Sequence, residues 1–108
     1  MGNLIDGDRW RFDAVTSDGE EEKLSGRHWI TGIFWTESAD RDIAADDDLL
    51  ITDKDGLVIY ENRAAGTPAT ASNHVNIVIP DPGLLVNGFK VKKLDGGILV
   101  IWRKLPYT

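Results

Sequence analysis

Short runs of Val, Ile, Trp, Tyr and Phe recur about every ten residues along the chain, bounded by turn-forming residues, while apolar spacing of helical period is hard to find. That rhythm predicts an all-β fold, an antiparallel β-sandwich with Greek-key or jelly-roll-like connections. A length of 108 residues leaves room for a single domain spanning 1–108, with residues 1–8 expected as a flexible or docking N-terminal arm. The composition, 42% hydrophobic and 28% charged, is that of a chain that builds a folded core and not of a disordered one. A domain of this size buries only roughly 60 to 70% of its unfolded surface, so association with copies of itself or with a scaffold would add to a small stability.

The strands can be placed from their patterns. Arg9 to Thr16 alternates Trp10, Phe12 and Ala14 with Arg9, Arg11 and Asp13, and ends at a turn over Ser17-Asp18-Gly19 beside the acidic run Glu20 to Glu22. Arg27 to Glu37 is the most aromatic strand, with Trp29, Thr31, Ile33 and Trp35 expected on one face and Ile30, Gly32 and Phe34 on the other. A strand apolar on both faces is either covered on both sides or set against a partner. Gly32 in its middle suggests a bulge or a close backbone approach. Ser38 to Asp48 reads as an acidic surface loop. Leu49 to Asp53 and Leu57 to Glu61 flank Lys54-Asp55-Gly56, the clearest hairpin signal in the chain.

Arg63 to Ser72 is long enough to cross between sheets. Asn73 to Pro80 follows as a strand with Val75, Ile77 and Ile79 inward, stopped by Pro80-Asp81-Pro82-Gly83 because proline cannot donate to a ladder. Leu84 and Leu85 lead into a strand over Phe89 to Leu94. After Asp95-Gly96-Gly97 comes Ile98 to Lys104, whose unbroken run Ile98-Leu99-Val100-Ile101-Trp102 marks a central strand or one at a subunit interface.

Chemistry is thinly supplied. With no cysteine, thiolate nucleophiles, disulfides and thiolate metal sites are excluded. His28 and His74 stand alone, outside any spacing that would bring two rings to one metal. Ser17, Ser25, Ser38 and Ser72 lack a nucleophile-elbow setting. The acids Asp40, Asp42 and Asp46 to Asp48 could offer oxygens to calcium, with a solvated loop as the plainer reading. Asp53-Lys54-Asp55-Gly56 fails as an EF-hand start because its glycine comes too early and the twelfth position, Ala64, has no carboxylate. No catalytic residue, cofactor or metal is assigned, and the chain reads as a non-enzyme.

A net charge of −6 argues against nucleic-acid binding, which needs clustered Lys and Arg. The charge is uneven: fifteen acids against six bases from Met1 to Gly56, and three acids against six bases from Leu57 to Thr108. The two halves are either solvated faces or surfaces that attract a neighbouring copy. No apolar run approaches the ~20 residues that span a bilayer, and no signal-peptide pattern opens the chain, so cytosolic synthesis without a membrane partner is expected.

Four tryptophans, Trp10, Trp29, Trp35 and Trp102, suit a core, an interface centre or a sugar platform. One order of features carries a resemblance. Arg27-His28-Trp29-Ile30-Thr31-Gly32-Ile33-Phe34-Trp35 is followed by the hairpin Leu50 to Glu61 with its Asp53-Lys54-Asp55-Gly56 turn. Val78-Ile79-Pro80-Asp81-Pro82-Gly83-Leu84-Leu85-Val86-Asn87-Gly88-Phe89 then runs into Leu94-Asp95-Gly96-Gly97-Ile98-Leu99-Val100. In this order Gly26 to Lys104 resembles the small head decoration, or cement, proteins of bacteriophages, which have a jelly-roll-like sandwich.

The resemblance implies a non-enzymatic virion protein on the capsid surface, assembled in the host cytoplasm. It would be homotrimeric in many cases and would stabilise the head by binding major capsid subunits. It supplies no catalytic motif, and the stretch before Gly26 has no counterpart in it. From the residues themselves, Phe34, Trp35, Ile101 and Trp102 are the candidates for self-association or a capsid interface. A minor tail or head-completion subunit and a small carbohydrate-binding sandwich remain as alternatives.

Overall fold

The computed structural model describes residues 3–5, 7–37, 41–44, 46–64 and 73–104, the side chains of Asn73 and His74 excepted. It is an all-β sandwich of two antiparallel sheets, with one short helix among the described residues. In chain order the elements are β1 (Arg9–Phe12), α1 (Asp18–Lys23), β2 (Arg27–Thr36), β3 (Asp48–Thr52), β4 (Val58–Arg63), β5 (Asn73–Val78), β6 (Leu84–Asn87), β7 (Lys90–Leu94) and β8 (Ile98–Lys104). The larger sheet runs β1-β8-β2-β5, with β6 also paired to β2, and the smaller runs β4-β3-β7. The long apolar run at the C-terminal end therefore does form a central strand, β8, between β1 and β2.

The core lies between the sheets. The larger sheet contributes Trp10, Phe12, Ile30, Ile33, Trp35, Leu99 and Ile101, and the smaller contributes Leu49, Ile51, Val91 and Leu94, all buried. Trp10 meets Phe89 edge-on at 5.3 Å and Phe12 at 6.3 Å, the offset geometry that ring quadrupoles favour. Each such side chain taken fully out of water contributes roughly 1.5–3 kcal/mol, an upper figure because the unfolded chain already hides some of it.

The strict alternation expected along β2 does not hold. The β2–β8 register shifts between Ile30 and Gly32. An extra residue in one strand reverses which face the following side chains take. His28 and Ile30 thus share the inner face with Ile33 and Trp35, while Trp29 joins Phe34 on the outer side. Gly32 allows this crowding: a Cβ there would sit 2.8 Å from the Phe34 ring and 3.3 Å from the Trp102 indole.

The strand expected to reach Thr16 ends at Phe12 instead. The backbone N–H groups of Asp13 and Ala14 leave the ladder and donate to the Asn3 side-chain oxygen at 2.9 and 3.1 Å. Leu4 bridges to Arg11, so these residues of the expected N-terminal arm lie along β1. The Ser17-Asp18-Gly19 turn is the start of α1. Ser17 Oγ accepts from the Glu20 N–H, and the Glu20 carboxylate accepts from the Ser17 N–H at 2.9 Å, a capping box that offsets the helix's lack of any buried residue.

The Lys54-Asp55-Gly56 hairpin forms as expected. Asp53 Oδ1 accepts from the N–H groups of Asp55 and Leu57 at 2.8 and 2.9 Å, and Gly56 takes φ +88°, joining β3 to β4. Strand β4 belongs to the smaller sheet and β5 to the larger, while the crossing expected over Arg63 to Ser72 lies, from residue 65 on, outside the described residues. The strand expected over Phe89 to Leu94 forms as β7, and the Leu84-Leu85 stretch leading into it forms a strand of its own, β6. Here β6 stays on β2, the chain turns at Gly88 (φ +83°), and β7 enters the smaller sheet. Asp95-Gly96-Gly97 then carries it back, and this turn is pinned by Trp35 Nε1 donating to Gly96 O at 2.9 Å and by Arg41 Nε donating to Gly97 O at 2.7 Å.

Strands β5 and β6 lie end to end along the same edge of β2. Val78 pairs with Gly32, the Ile79 N–H donates to Thr31 O at 3.0 Å, and Leu84 pairs with Ile30. Pro80 to Gly83 is thus a four-residue excursion from what is otherwise one edge strand. Gly83 has φ +104°, and a Cβ on it would fall 2.6 Å from the Ile30 carbonyl oxygen, so only glycine fits there.

Candidate functional site

The inward positions of each strand identify the outward ones. Trp10 and Phe12 on β1, Leu99 and Ile101 on β8, Ile33 and Trp35 on β2 and Val75 on β5 are buried, which turns Arg9, Arg11, Val100, Trp102, Phe34, Asn76 and Val78 to the outer face of the larger sheet. The register aligns Arg9, Trp102, Gly32 and Val78 in one row across that face and Arg11, Val100, Phe34 and Asn76 in the next. Trp102 is 44% exposed and Val78 73% exposed. The Arg9 guanidinium lies 5.7 Å from the Trp102 ring centroid, a cation–π pair at the border of the patch.

A shallow hollow of about 390 Å³ opens on this face, lined by Thr31, Gly32, Phe34, Val78, Asp81 and Trp102 among others. Asp81 supplies its one carboxylate, at the rim, in an ion pair with Lys104.

Of the four residues expected to form an interface, the structure brings Phe34 and Trp102 together on this surface. It removes Trp35 and Ile101, which are fully buried on the inner face and have no surface to offer. In a two-layer sandwich, neighbours along a strand point to opposite faces, so 34 and 35, or 101 and 102, cannot both be outside. Val78, Arg9 and Asp81 are not among the interface residues expected from the sequence, and Gly32 is marked there only as a bulge. Val78 was legible in principle, because it falls between the inward positions Ile77 and Ile79.

The outer face of the smaller sheet has a different character. Asp48 takes Arg63 Nε at 2.7 Å and Lys93 Nζ at 3.7 Å, and Arg63 beside it holds the Asp48 carboxyl below its ordinary pKa. A hollow there is lined by Asp48, Glu61, Arg63 and Lys93 with Leu50 between them. These charges are matched by one another across the strands.

His28 sits on the inner face, 5.0 Å from Trp10 and edge-on to it. Its Nε2 donates to Leu24 O at 3.2 Å, which leaves Nδ1 as a buried acceptor with no hydrogen-bond partner among the described residues. Burial lowers the His28 pKa; the Leu24 bond opposes this and the nearby Arg103 charge adds to it. Arg103 is held over Trp10 at 5.1 Å. This group is packing, closed off from the surface. The side chain of His74 lies outside the described residues.

In the acidic segment, Ser38 to Asp40 and Ala45 lie outside the described residues. The rest is less of a surface loop than expected, because Ile43 is fully buried and its N–H donates to the Glu37 carboxylate at 2.9 Å. Asp47 Oδ2 accepts from the Ala44 N–H at 2.7 Å, so this acid caps its own backbone. Among the described residues no three His, Asp or Glu side chains are grouped to hold a metal ion. No helix among them is long and apolar enough to cross a membrane.

Comparison with protein-family models, with curated proteins and with solved structures finds no match to this chain.

Proposed function

We propose that the protein is a non-enzymatic structural domain that works by covering the outer face of its larger sheet with protein. The observation that carries this is the apolar composition of that face, with Trp102 and Val78 open to solvent beside Phe34 and Val100. The largest apolar patch of a monomer is often a functional one, and aromatic residues at the centre of a patch are what protein interfaces use.

The assembly it serves, in this reading, is a bacteriophage head. The order of sequence features from Gly26 to Lys104, which resembles that of phage head decoration proteins, supports that part, as a decoration protein on the capsid surface bound to major capsid subunits. Antibody to the purified chain, used for immunogold labelling of particles from lysates of the organism that carries the gene, should mark the head surface at regular spacing. Intact particles free of label on head and tail would overturn the virion reading, and label on the tail alone would replace the head by the tail.

Trp102 favours one second reading, a carbohydrate-binding sandwich, because its indole borders a hollow with a carboxylate at the rim. Titration of tryptophan fluorescence with a glycan panel, with and without calcium, separates the two. The docking reading expects no saturable change.

A further inference from the structure

We propose that the outer face of the larger sheet is covered by the same face of a second copy of this chain, the two copies related by a twofold axis that runs parallel to β2 and β8. This rests on the reading of that face as a protein-docking surface, and it names the occupant.

The argument comes from the order of side chains across the strands. One border of the face, on β1, is basic, with Arg9 and Arg11. The centre, on β8 and β2, is apolar, with Trp102, Val100 and Phe34. The opposite border carries Val78 on β5 and then Asp81, whose side chain is 85% exposed even with Lys104 against it. Basic border, apolar centre and acidic border make the face complementary to its own image under the right rotation.

Two sheets packed face to face in the aligned way allow a twofold axis in the plane between them, either along the strands or across them. An axis across the strands lays β1 on β1 and sets Arg9 and Arg11 against their own copies, a like-charge contact that costs binding energy. An axis along the strands lays β1 of each copy over β5 of the other. Each row then meets itself reversed. Arg9 comes over Val78 and within reach of Asp81, and Trp102 comes over Gly32, where the hollow between Trp102 and Val78 receives it. Phe34 and Val100 exchange places in the next row. The same operation satisfies the charges and fills the hollow, twice over by symmetry.

Size sets the strength. Four strand positions at about 4.8 Å spacing and about six residues at about 3.3 Å rise give a face of roughly 400 Å² per copy. That is about half of what a standard specific interface buries per partner, so the dimer is a weak, transient one.

Sedimentation velocity of the full chain from about 1 to several hundred micromolar tests this. A monomer–dimer equilibrium is expected. Val78→Lys and Trp102→Lys should each abolish the dimer with an unaltered far-UV circular dichroism spectrum, since both side chains point away from the core. Arg9→Glu alone and Asp81→Arg alone should each weaken dimerisation at least about tenfold, and the two together should restore most of it, because only the reversed pair matches across the axis. A chain that is monomeric at every concentration, or a dimer indifferent to Val78→Lys, overturns the proposal, as does failure of the double reversal to recover affinity. The docking reading falls separately: it fails if Val78→Lys protein still labels particles as the wild type does.

Discussion

Asp48, Glu61, Arg63 and Lys93 cover the outer face of the smaller sheet, whereas Trp29, Phe34, Val100 and Trp102 occupy the equivalent layer of the larger one. Both sheets satisfy the requirement of a two-layer fold, an apolar inner face. On the smaller sheet the outward positions alternate to charged residues that pair across strands, the ordinary solution for a face in water. On the larger sheet they do not, and the surplus of apolar surface answers no demand of the sandwich itself. Packing explains the inner face, and the outer one is what the proposed docking accounts for.

The sharpest way to break that comparison is to truncate adjacent residues on β8. Ile101→Ala should lower stability by about 2–5 kcal/mol, read as a shift of the urea midpoint, because it opens a cavity between the sheets. Trp102→Ala should leave the midpoint within about 0.5–1 kcal/mol, as expected for a side chain that faces away from the core. Equal losses at the two positions would mean that the outer face is held by intramolecular packing.

A pH series separates the buried histidine from both outer faces. The folded-state pKa of His28 lies below its ordinary value of 6.5, so the unfolded chain takes up the proton more readily. The stability His28 confers is therefore present above about pH 6.5 and is lost as pH falls below it. Urea midpoints at pH 7.5 and 5 should differ more for the wild type than for His28→Gln.

Gly32→Ala should have a smaller effect, about 1 kcal/mol, because the Phe34 ring can swing aside from the new methyl group. Its main consequence should be a changed near-UV spectrum from Trp102 at constant far-UV signal. The smallest change is expected over the charged face. Arg63→Ala should leave the thermal midpoint almost where it was, and the Asp48 carboxyl should then titrate closer to its ordinary pKa in NMR, since the Arg63 hydrogen bond is what holds it down.

Much of this molecule could be read from its residues. Lys54-Asp55-Gly56 specified a hairpin because the left-handed turn needs a residue such as Gly56. Ile98 to Trp102 announced a central strand through its unbroken apolar run. The same run hid which side was which, since a segment apolar on both faces carries no alternation to tell Ile101 from Trp102. That choice belongs to the second sheet, which covers one side only. The bulge at Gly32 was suspected, but its effect, moving Ile30 to the face of Ile33 and Trp35, depends on the register with β8, a long-range pairing. Helix α1 escapes a reading by pattern because five charged residues and a glycine have no apolar period, although Ser17 and Glu20 stand at capping-box spacing.

The excursion at Pro80 to Gly83 bears on what the edge of the larger sheet can pair with. Without it, Ile79 and Leu84 would follow one another opposite Thr31 and Ile30, and β5 and β6 would merge into one straight border with a long row of backbone groups facing outward. Such a border is a template for any extended segment, and nascent or damaged copies would add to it strand by strand. Two prolines and a glycine that tolerates only its own shape interrupt the row at its midpoint. Among the described residues the edge is thereby left in two short pieces, each a poor template for strand addition.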